Sequence, residues 1–581
     1  MENLKYTDIL KRNADLEGTL LSNPYQIGIL SNLTINTFKE ILEYSCRVEK
    51  IEPQVEIGNF DNIVQDSLAF KNKKLIIIFY DILAVVDQIN NYFEDIDEGI
   101  LNQLTQKLFS EIQIILENLK STPSVIFNLF SDVYFPYNVQ QPSRISLFVI
   151  EINDFLKANA PSNFILNNID KIYSQLGFSQ CFDKRFYLAA KAPYTVNFFK
   201  EYTSSIQSVI LKNNGKNKKA IIFDCDNTLW KGIIGEDGMD NIEMSGNSAN
   251  GLVFQRIQQI ALYLSKRGII IGLCSKNNEA DVLEVFRSHE DVVLKEENIV
   301  IHKISWADKA NSLMQIASDL NIGVDSLIFV DDSSFEINLI KDQIPEILCI
   351  QVPNIISEFP PLLLRYINKY FNLNPTKEDL QKTEMYKKQV LRNSERDSFT
   401  SIENYLSFLE IEIQVFENDS TLVTRIAQLT QKTNQFNLTT KRYTETEIEH
   451  FINSDMYNVY AVSVKDKFGE SGLTGVCILS KDESNVNQVY IDSFLISCRI
   501  IGRNIEFVFL DYIIKKVINQ KVKTIFAFYI PTKKNSQVAP FYDALKFQLV
   551  NETNDRKDYA LNLDYYVPPT IDYISINVSE N

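Results

Sequence analysis

Short apolar runs, each about as long as one buried strand, recur along the chain between stretches with helical periodicity. In the middle of the chain they are AIIFD, GIIIGLCS, NIVIHKI, SLIFVDD and ILCIQV, between residues 220 and 352. Nearer the start, QIGILSN, KLIIIFYD and RISLFVIEIND continue the pattern as three more predicted strands. A strand that is apolar throughout must be covered on both faces, and the intervening helices can cover it. The alternation therefore predicts α/β domains with parallel sheets.

Two polar, turn-rich segments divide the chain into three predicted domains. The chain has 581 residues, which is too long for a single hydrophobic core. The segments LKNNGKNKKA at 211–220 and FNLNPTKED at 371–379 are typical of linkers. We therefore predict domains at 1–215, 216–375 and 376–581. The third begins with a charged helical stretch, followed by the alternating strand LEIEIQVFE, which is typical of an α+β domain.

The charge of the chain argues against two classes of partner. A formal net charge of −17 repels nucleic acids and anionic membranes. The most apolar run, LIIIFYDILAVV at 75–86, is too short to cross a bilayer, and the first residues do not resemble a signal peptide. Seven cysteines show no spacing typical of a zinc site. We expect a cytoplasmic protein that binds neither nucleic acid nor membrane.

Two aspartates follow the central apolar run. Asp224 and Asp226 are two residues apart at the end of a predicted strand, so their side chains project to the same side. Two nearby carboxylates raise each other's pKa unless a cation lies beside them, and Mg²⁺ is a hard cation that carboxylate and phosphate oxygens bind. One carboxylate could attack a phosphorus atom while the other moves the proton. The pair therefore predicts magnesium-dependent phosphate chemistry.

The segment DCDNT at 224–228 resembles motif I of the haloacid dehalogenase (HAD) superfamily. The segments GLCSKNN, WADKANSL and LIFVDDSSFE follow in the order that this family requires. The resemblance implies a Rossmann-like parallel sheet and an enzyme of the phosphatase or phosphotransferase type. It also implies a role for each matching residue: nucleophile for Asp224, acid and base for Asp226, a hydrogen bond to the phosphoryl group for Ser275, charge neutralisation for Lys309, and a Mg²⁺ site made by Asp224, the backbone carbonyl of Asp226, Asp331 and Asp332.

The spacing of these segments leaves no room for an inserted cap domain. The flap WKGIIGEDG leads almost at once to the helical segment GLVFQRIQQIALYLSKRG, and 275–309 holds barely one helix and one strand. An open site suits a group carried on another protein better than a small metabolite that needs enclosure. We therefore expect a HAD domain without a cap and a bulky substrate.

The longer phrases DCDNTLWKGIIGEDG, CSKNN and FVDDSSFE resemble the FkbH-like branch of the superfamily. The phrases RIAQLTQKTNQFNLTTKRYTETEI and FGESGLTGV in the third domain extend the resemblance over most of the chain. It implies transfer of a glyceryl unit from 1,3-bisphosphoglycerate to the phosphopantetheine arm of an acyl carrier protein, with loss of phosphate. The product would be a polyketide, a nonribosomal product or a surface polysaccharide.

The first domain resembles the SGNH-hydrolase-like region of long FkbH-like proteins, through ILSNLT and DKRFYLAAKAPYT. An active SGNH hydrolase needs a histidine to activate its serine. The three histidines lie outside this domain, at 289, 302 and 450. We therefore expect no esterase activity, a turn at Ser31 and Asn32, and a docking role.

The third domain resembles a GNAT acyltransferase at RIIGRN, residues 499–504. In that fold the sequence RxxGxG/A forms a strand-to-helix turn whose backbone N–H groups and helix N-terminus bind pyrophosphate. The resemblance implies that coenzyme A or a phosphopantetheine arm binds to Arg499, Gly502, Arg503 and Asn504. Asn504 stands where glycine or alanine is usual.

Two residues near this loop each have two interpretations. Tyr542 matches the position of the GNAT acid that protonates a departing thiolate, and it also fits a packed tyrosine. Cys498 precedes Arg499 and Arg503, whose charges would lower the pKa of its thiol. The thiolate could accept the glyceryl group as a thioester, whereas the alternative is a buried side chain at a strand end.

Two other functions remain open. The chain could be a HAD phosphatase that acts on a sugar phosphate or another phosphoester, or a non-catalytic scaffold that docks carrier proteins. Carrier proteins are generally acidic, so a chain with a net charge of −17 needs a basic surface to bind one. The third domain offers candidates for that surface: Lys432, Lys441, Arg442, Lys533 and Lys534.

Overall fold

The computed structural model describes residues 4–20, 24–86, 90–135, 143–371, 380, 382–396, 399–482, 485, 487–532 and 534–578. The domain boundary predicted at residue 375 and Lys533 lie outside this range. The chain divides into two compact units, Met1–Asn214 with Tyr443–Glu447, and Gly215–Arg442 with Ile448–Asn581. The predicted second and third domains thus belong to one compact unit, although each has its own sheet.

The strands are numbered β1 to β19 in chain order. They span Tyr25–Ser31, Pro53–Ile57, Leu75–Phe79, Val125–Asn128, Phe164–Asn167, Ala220–Phe223, Ile270–Ser275, Ile301–Ile304, Leu327–Asp331, Leu348–Gln351, Ile411–Glu417, Phe436–Asn437, Tyr457–Asp466, Gly469–Lys481, Gln488–Ile496, Thr524–Tyr529, Gln548–Glu552, Lys557–Asn562 and Ile574–Val578.

The α-helices are numbered α1 to α22. They span Tyr6–Leu16, Asn36–Val48, Ile63–Phe70, Ile82–Val85, Glu98–Leu119, Arg144–Asn159, Asp170–Leu176, Phe178–Cys181, Lys184–Ala190, Val196–Asn213, Ile234–Asp237, Ala249–Ser265, Glu279–Ser288, Lys309–Asp319, Ser334–Gln343, Phe359–Tyr370, Lys382–Arg396, Ile402–Phe408, Val423–Lys432, Glu445–Asn453, Ile505–Asn519 and Phe541–Ala544. Within the described residues, none of them is both long and apolar enough to cross a membrane.

The first unit contains a parallel five-stranded sheet of order β2-β1-β3-β4-β5. The predicted strands at QIGILSN and KLIIIFYD are confirmed as β1 and β3. The prediction for RISLFVIEIND is wrong, because this run lies in helix α6. Its apolar residues recur at helical spacing, and five of them are buried: Ile145, Phe148, Val149, Ile152 and Leu156.

A second parallel sheet, of order β10-β9-β6-β7-β8, lies in the second unit. It contains all five strands predicted for the middle of the chain, and every residue of β6 and β9 is buried. β6 is the central strand, with β9 and β7 as its neighbours. Residues that follow these three strands therefore meet at the carboxyl edge of the sheet, where open α/β sheets bind ligands.

The third sheet runs in the order β17-β18-β16-β15-β14-β13-β11-β19 and is mainly antiparallel. Two of its pairs are parallel, β11 with β19 and β15 with β16. The second pair stays hydrogen-bonded only where 488–490 face 524–526. Further along, β12 and the residue after it, Leu438, lie between the two strands, because β12 pairs with the end of β15. Leu438 N–H donates to the carbonyl of Phe494 at 3.1 Å, and the Leu438 carbonyl accepts from Ile530 N–H at 2.8 Å.

Helix α17 joins the second and third sheets. It contacts β7 and α14 beside the second sheet and β14 in the third. Arg392 on this helix donates to Oδ1 of Asp466 at 2.8 Å, and Arg503 donates to Oδ2 at 2.9 Å. All three side chains are buried. The carboxylate of Asp466 is therefore a shared acceptor for two guanidinium groups inside the protein.

Replacing this carboxylate tests its contribution to stability. Asp466→Ala leaves two buried guanidinium groups without their shared acceptor, so we expect the free energy of unfolding to fall by about 3–5 kcal/mol. Urea denaturation of the full chain measures the change. As a matched control, Asp564→Ala removes an exposed ion pair with Lys523 at 3.4 Å and should cost less than about 1 kcal/mol. Equal effects of the two variants would contradict the assigned role of Asp466.

Candidate active site

The carboxyl edge of the second sheet brings together the charged residues that the sequence singled out. Asp224 directly follows β6, Ser275 ends β7 and Asp331 ends β9. Lys309 is the first residue of α14, and Asp308 caps this helix by accepting a hydrogen bond from Asn311 N–H at 3.2 Å. The cap holds the start of α14, and with it Lys309, beside the strand ends.

Lys309 lies between two carboxylates. Its Nζ is 3.0 Å from Oδ1 of Asp224 and 2.7 Å from Oδ2 of Asp331. The side chains are 6%, 7% and 0% exposed for Lys309, Asp224 and Asp331, so solvent screens these contacts very little. Ser275 lies beside Asp224 and opposes the rise in its pKa. Removing one partner from such a buried group of charges strongly lowers the free energy of unfolding.

Burial and charge shift the pKa values of these groups. Burial raises the pKa of Asp224 to about 6, with Asp331 adding to the rise and Lys309 opposing it. Burial alone would lower the pKa of Lys309, but the two carboxylates outweigh it and raise this pKa above its usual range. The ammonium therefore stays charged, whereas Asp224 takes up a proton more readily than an exposed aspartate.

Asp224, Asp331 and Asp332 form a group that could hold a metal ion. Each offers one carboxylate oxygen, and the three atoms lie within 4.8 Å of one another. Burial raises the pKa of both Asp331 and Asp332, so an additional cation would favour their ionised forms. Three carboxylates against the single ammonium of Lys309 leave two negative charges, which suits a hard divalent cation.

The backbone carbonyl of Asp226 was predicted to be a metal ligand, which stays a prediction, and its carboxylate lies outside this group. Oδ1 accepts hydrogen bonds from the indole N–H of Trp230 at 2.9 Å and from Ile234 N–H at 3.1 Å. Oδ2 accepts one from Asn277 Nδ2 at 2.8 Å. These three donors fix the direction of the carboxylate. Sequence reasoning missed Trp230 and Asn277, although both stand in the quoted motifs, because side-chain direction in a loop cannot be read from the motif.

A further ion pair crosses the same edge. Lys276, which follows β7, lies 2.6 Å from Glu336, which follows β9. Because β6 runs between these strands, the pair bridges the end of the strand that Asp224 follows. It is a third contact that joins the loops around this edge.

Cys498 lies at the opposite edge of the same sheet. Its Sγ is 3.8 Å from Nζ of Lys219, the residue directly before β6, whereas Asp224 directly follows β6. The length of the strand separates the thiol from the carboxylate cluster. The predicted transfer of the glyceryl group to Cys498 stays a prediction, and it would take place away from the Asp224 site.

The predicted pyrophosphate loop also has a different environment. The Arg503 guanidinium binds Asp466 and donates to Gln389 at 2.8 Å, and Arg499 contacts the sulfur of Met385 at 2.6 Å. Both arginines are buried, and Gln389 and Met385 belong to α17. Their guanidinium groups thus face the protein's own helix, whereas binding of pyrophosphate by the backbone N–H groups of this loop stays a prediction.

The backbone of this loop bends as a tight turn does. Gly502 and Asn504 both have left-handed φ values, of 84° and 62°. The side chain of Asn504 donates to the hydroxyl of Tyr573 at 2.6 Å. The asparagine, at the position where glycine or alanine is usual, therefore ties the start of α21 to a neighbouring aromatic residue.

Tyr542 is fully buried. Its ring packs against Phe541, Phe547 and Tyr559, with centroid distances between 5.0 and 5.5 Å. Its hydroxyl has no hydrogen-bond partner within the described residues, and burial raises its pKa. A group that protonates a departing thiolate must reach the sulfur. The location of Tyr542 supports the alternative interpretation, a packed side chain.

The predicted turn residues of the first unit are held within the protein. The Ser31 hydroxyl donates to the Leu33 carbonyl and accepts from Leu33 N–H, both at 2.9 Å. Asn32 exchanges two hydrogen bonds with the backbone of Asp81, at 2.9 and 2.8 Å. These contacts shape the chain after β1.

Comparison with solved structures shows a similar fold. The N-terminal part of the protein BF1531 from Bacteroides fragilis, containing a phosphatase domain complexed with Mg, matches 64% of this chain and 100% of its own, with 22% sequence identity and a TM-score of 0.55. No family model and no curated protein matches the chain. At this identity the likeness concerns the fold, a mixed α/β architecture with parallel sheets.

Two acetyltransferases match a shorter part. The ribosomal-protein-S18-alanine N-acetyltransferase of Escherichia coli matches 26% of this chain and 94% of its own, with 12% identity and a TM-score of 0.21. A spermidine N-acetyltransferase chimera from Vibrio cholerae matches 26% of this chain and 97% of its own, with 12% identity and a TM-score of 0.22. These TM-scores are too low to support a conclusion about the third sheet.

The pKa shifts predict how the loss of Lys309 depends on pH. In buffer with a metal chelator at pH 8, Lys309→Met leaves Asp224 and Asp331 buried without a cation, and either their buried charge or the protons that they must take up should lower the free energy of unfolding by about 3–5 kcal/mol. Loss of the ammonium raises the pKa of Asp224 further above the value of about 6 that it has beside Lys309, so protonation costs less at pH 5 and the loss should be smaller there. Denaturant unfolding at both pH values measures the difference.

Lys303→Met provides the control for this experiment. Lys303 pairs with Asp319 at 2.8 Å, and both side chains are about one-third exposed, so its loss should cost less than about 1 kcal/mol at either pH. A loss in Lys309→Met that is equal at pH 5 and pH 8 would contradict the assigned charge balance.

Proposed function

We propose that the chain is a magnesium-dependent enzyme that removes a phosphoryl group at Asp224. The observation that carries this proposal is the contact of Lys309 with both Asp224 and Asp331, at 3.0 and 2.7 Å, beside a third carboxylate within metal-ligand range. A purely structural protein has no need to bury such a cluster at the ligand-binding edge of a sheet.

The residues divide the chemistry between them. An oxygen of Asp224 forms a bond to phosphorus while the bond from phosphorus to the leaving oxygen breaks, and Asp226 gives that oxygen a proton. Water then attacks the aspartyl phosphate, and Asp226 takes up the proton that the water loses. Lys309 and Ser275 offset the charge on the phosphoryl oxygens. Trp230, Ile234 and Asn277 hold Asp226 in one orientation.

The donor set fits Mg²⁺. Asp224, Asp331 and Asp332 would hold the ion with hard carboxylate oxygens, and the solved part of BF1531 with a similar fold was crystallised with Mg. When bound, Mg²⁺ supplies positive charge that neutralises and orients phosphoryl oxygens.

The resemblance of the motifs to FkbH-like proteins supports a specific substrate, 1,3-bisphosphoglycerate. Making a glyceryl thioester from it breaks two bonds to phosphate groups. The thiol of an acyl carrier protein attacks the acyl carbon and expels one phosphate, and hydrolysis at Asp224 removes the other. We place both steps at the carboxyl edge without a relay through Cys498, because that thiol lies at the amino edge beside Lys219. The setting would be cytoplasmic biosynthesis of a polyketide, nonribosomal product or surface polysaccharide.

One observation favours a second candidate, a phosphatase that acts on a sugar phosphate or another phosphoester. The arginines of the predicted pyrophosphate loop are buried against α17, so the third sheet offers no guanidinium group from that loop to a carrier's arm. In this case the outer parts of the chain serve recognition, and phosphate release needs no carrier.

Intact-mass spectrometry distinguishes these functions. The full chain is incubated with Mg²⁺, 1,3-bisphosphoglycerate generated in place and a panel of phosphopantetheinylated carrier proteins. We expect a glyceryl mass on a carrier together with phosphate release. Asp224→Asn should lower release of the second phosphate, the one removed by hydrolysis, at least about 1,000-fold, because the nucleophile is lost, and the carrier should then keep a phosphoglyceryl mass. Cys498→Ala should keep both activities within about twofold.

Other results would decide against parts of this proposal. Phosphate release without transfer to any carrier favours the plain phosphatase. A glyceryl mass on the enzyme that disappears in Cys498→Ala would restore the thioester relay. Unchanged phosphate release in Asp224→Asn would contradict the assigned nucleophile.

Asn277 should affect the reaction through Asp226. Asn277→Ala removes the donor to Oδ2 of Asp226, so the carboxylate loses one of three contacts that fix it, and kcat should fall about 10- to 100-fold with little change in KM. Steady-state hydrolysis of p-nitrophenyl phosphate measures both constants. Asn278→Ser is the control, because Asn278 caps α13 and serine preserves that cap. A rise in KM without a fall in kcat would show that Asn277 binds substrate instead.

A further inference from the structure

The carboxyl edge of the second sheet presents large apolar side chains to solvent. Ile233, Trp306, Phe335 and Ile355 are 37%, 78%, 68% and 62% exposed. They lie in the segments that follow β6, β8, β9 and β10, which are four of the five strands of this sheet. Together we call them the apolar rim. Single exposed apolar residues are ordinary, but one after each of four strand ends marks an interaction surface.

The apolar rim surrounds the catalytic cluster. Strand β6, which leads into Asp224, is central, with β9 and β10 on one side and β7 and β8 on the other. Trp306 is three residues before Lys309, and Phe335 is three residues after Asp332. With neighbouring strands about 4.8 Å apart, the five strand ends span roughly 20 Å. That width matches a face of a small protein better than a small metabolite.

The depth of the cluster limits what can reach it. Asp224 and Asp331 are 5% and 0% exposed, so a reacting group must pass the apolar rim on a thin extension. The chain has only short segments at the two places where a cap would be inserted: α11 lies between β6 and α12, and α13 between β7 and β8. Water must nevertheless be kept from the reacting groups, and a partner seated on the apolar rim would exclude it.

The basic surface predicted for docking lies elsewhere. Lys534 pairs with Asp325 at 2.5 Å, and Asp325 precedes β9 at the amino edge of the sheet. Lys441 pairs with Asp492. These two cations already bind carboxylates of this chain, and a carrier placed at the amino edge would face away from Asp224.

We propose that the acyl carrier protein docks on the apolar rim and passes its phosphopantetheine arm between Trp306 and Phe335 to Asp224. The inference rests on the proposed function and adds the surface that the carrier uses. It differs from the docking predicted from sequence in its physical basis, because salt does not weaken apolar contact whereas pairing of opposite charges weakens as salt screens it.

The test compares two substrates of the full chain with Mg²⁺. One is a phosphopantetheinylated carrier protein that accepts the glyceryl unit, and the other is p-nitrophenyl phosphate. In Trp306→Ala and Phe335→Ala, the ratio of kcat/KM for the carrier to kcat/KM for p-nitrophenyl phosphate should fall at least tenfold, through a higher KM for the carrier. Tyr565→Ala removes an aromatic residue that is 81% exposed beyond the third sheet and should leave the ratio unchanged. The KM for the carrier in the unaltered chain should not rise with added NaCl.

Each other outcome overturns the proposal in a recognisable way. If the ratio is unchanged in both variants while transfer continues, the carrier docks elsewhere and the proposed function stands. If KM rises steeply with NaCl, docking is electrostatic. If the unaltered chain releases phosphate but loads no carrier, the docking proposal and the carrier part of the proposed function are both wrong. If the variants change the native mass in light scattering but not the ratio, the apolar rim joins two copies of the chain.

Discussion

The ammonium of Lys309 makes this site physically possible. Without it, Asp224 and Asp331 would place two carboxylates at a buried strand edge with no cation between them, and both would take up protons. With it, one positive charge holds the ends of β6 and β9 close to the start of α14. Asp224, Asp331 and Asp332 together still carry two negative charges more than Lys309 offsets. This excess suits a divalent cation, and the cation in turn can bind a phosphoryl group.

The two edges of the second sheet have different environments. The carboxyl edge carries the charged cluster and the apolar rim, whereas the amino edge meets the third sheet through Lys219 and Cys498 and through Asp325 and Lys534. The turn at 499–504, which resembles a cofactor loop, also helps to join the two sheets, because its arginines bind Asp466 and α17. The acyl transfer that we propose therefore belongs at the same edge as the proposed phosphate chemistry.

The sequence predicted those parts of the fold in which local pattern and burial agree. All five strands of the second sheet were found, because each is a short apolar run that ends at a polar residue. The prediction of a strand at RISLFVIEIND was wrong, because this run is apolar enough for a strand while its buried residues follow helical spacing. Within the site, the motif order identified Asp224, Ser275, Lys309, Asp331 and Asp332. The motifs did not show that Trp230 and Asn277 bind Asp226, nor what surrounds Cys498. These contacts depend on how loops and sheets pack, which no short motif contains.

The most direct measurement of the central claim is to trap the phosphorylated protein. The full chain is mixed with Mg²⁺ and p-nitrophenyl phosphate, quenched in acid within one turnover, and digested for peptide mass spectrometry. The account predicts the mass of one phosphoryl group on the peptide that contains Asp224, with none in Asp224→Asn. A phosphoryl group on another residue, or release of phosphate at full rate with no trapped adduct in either protein, would contradict Asp224 as the nucleophile.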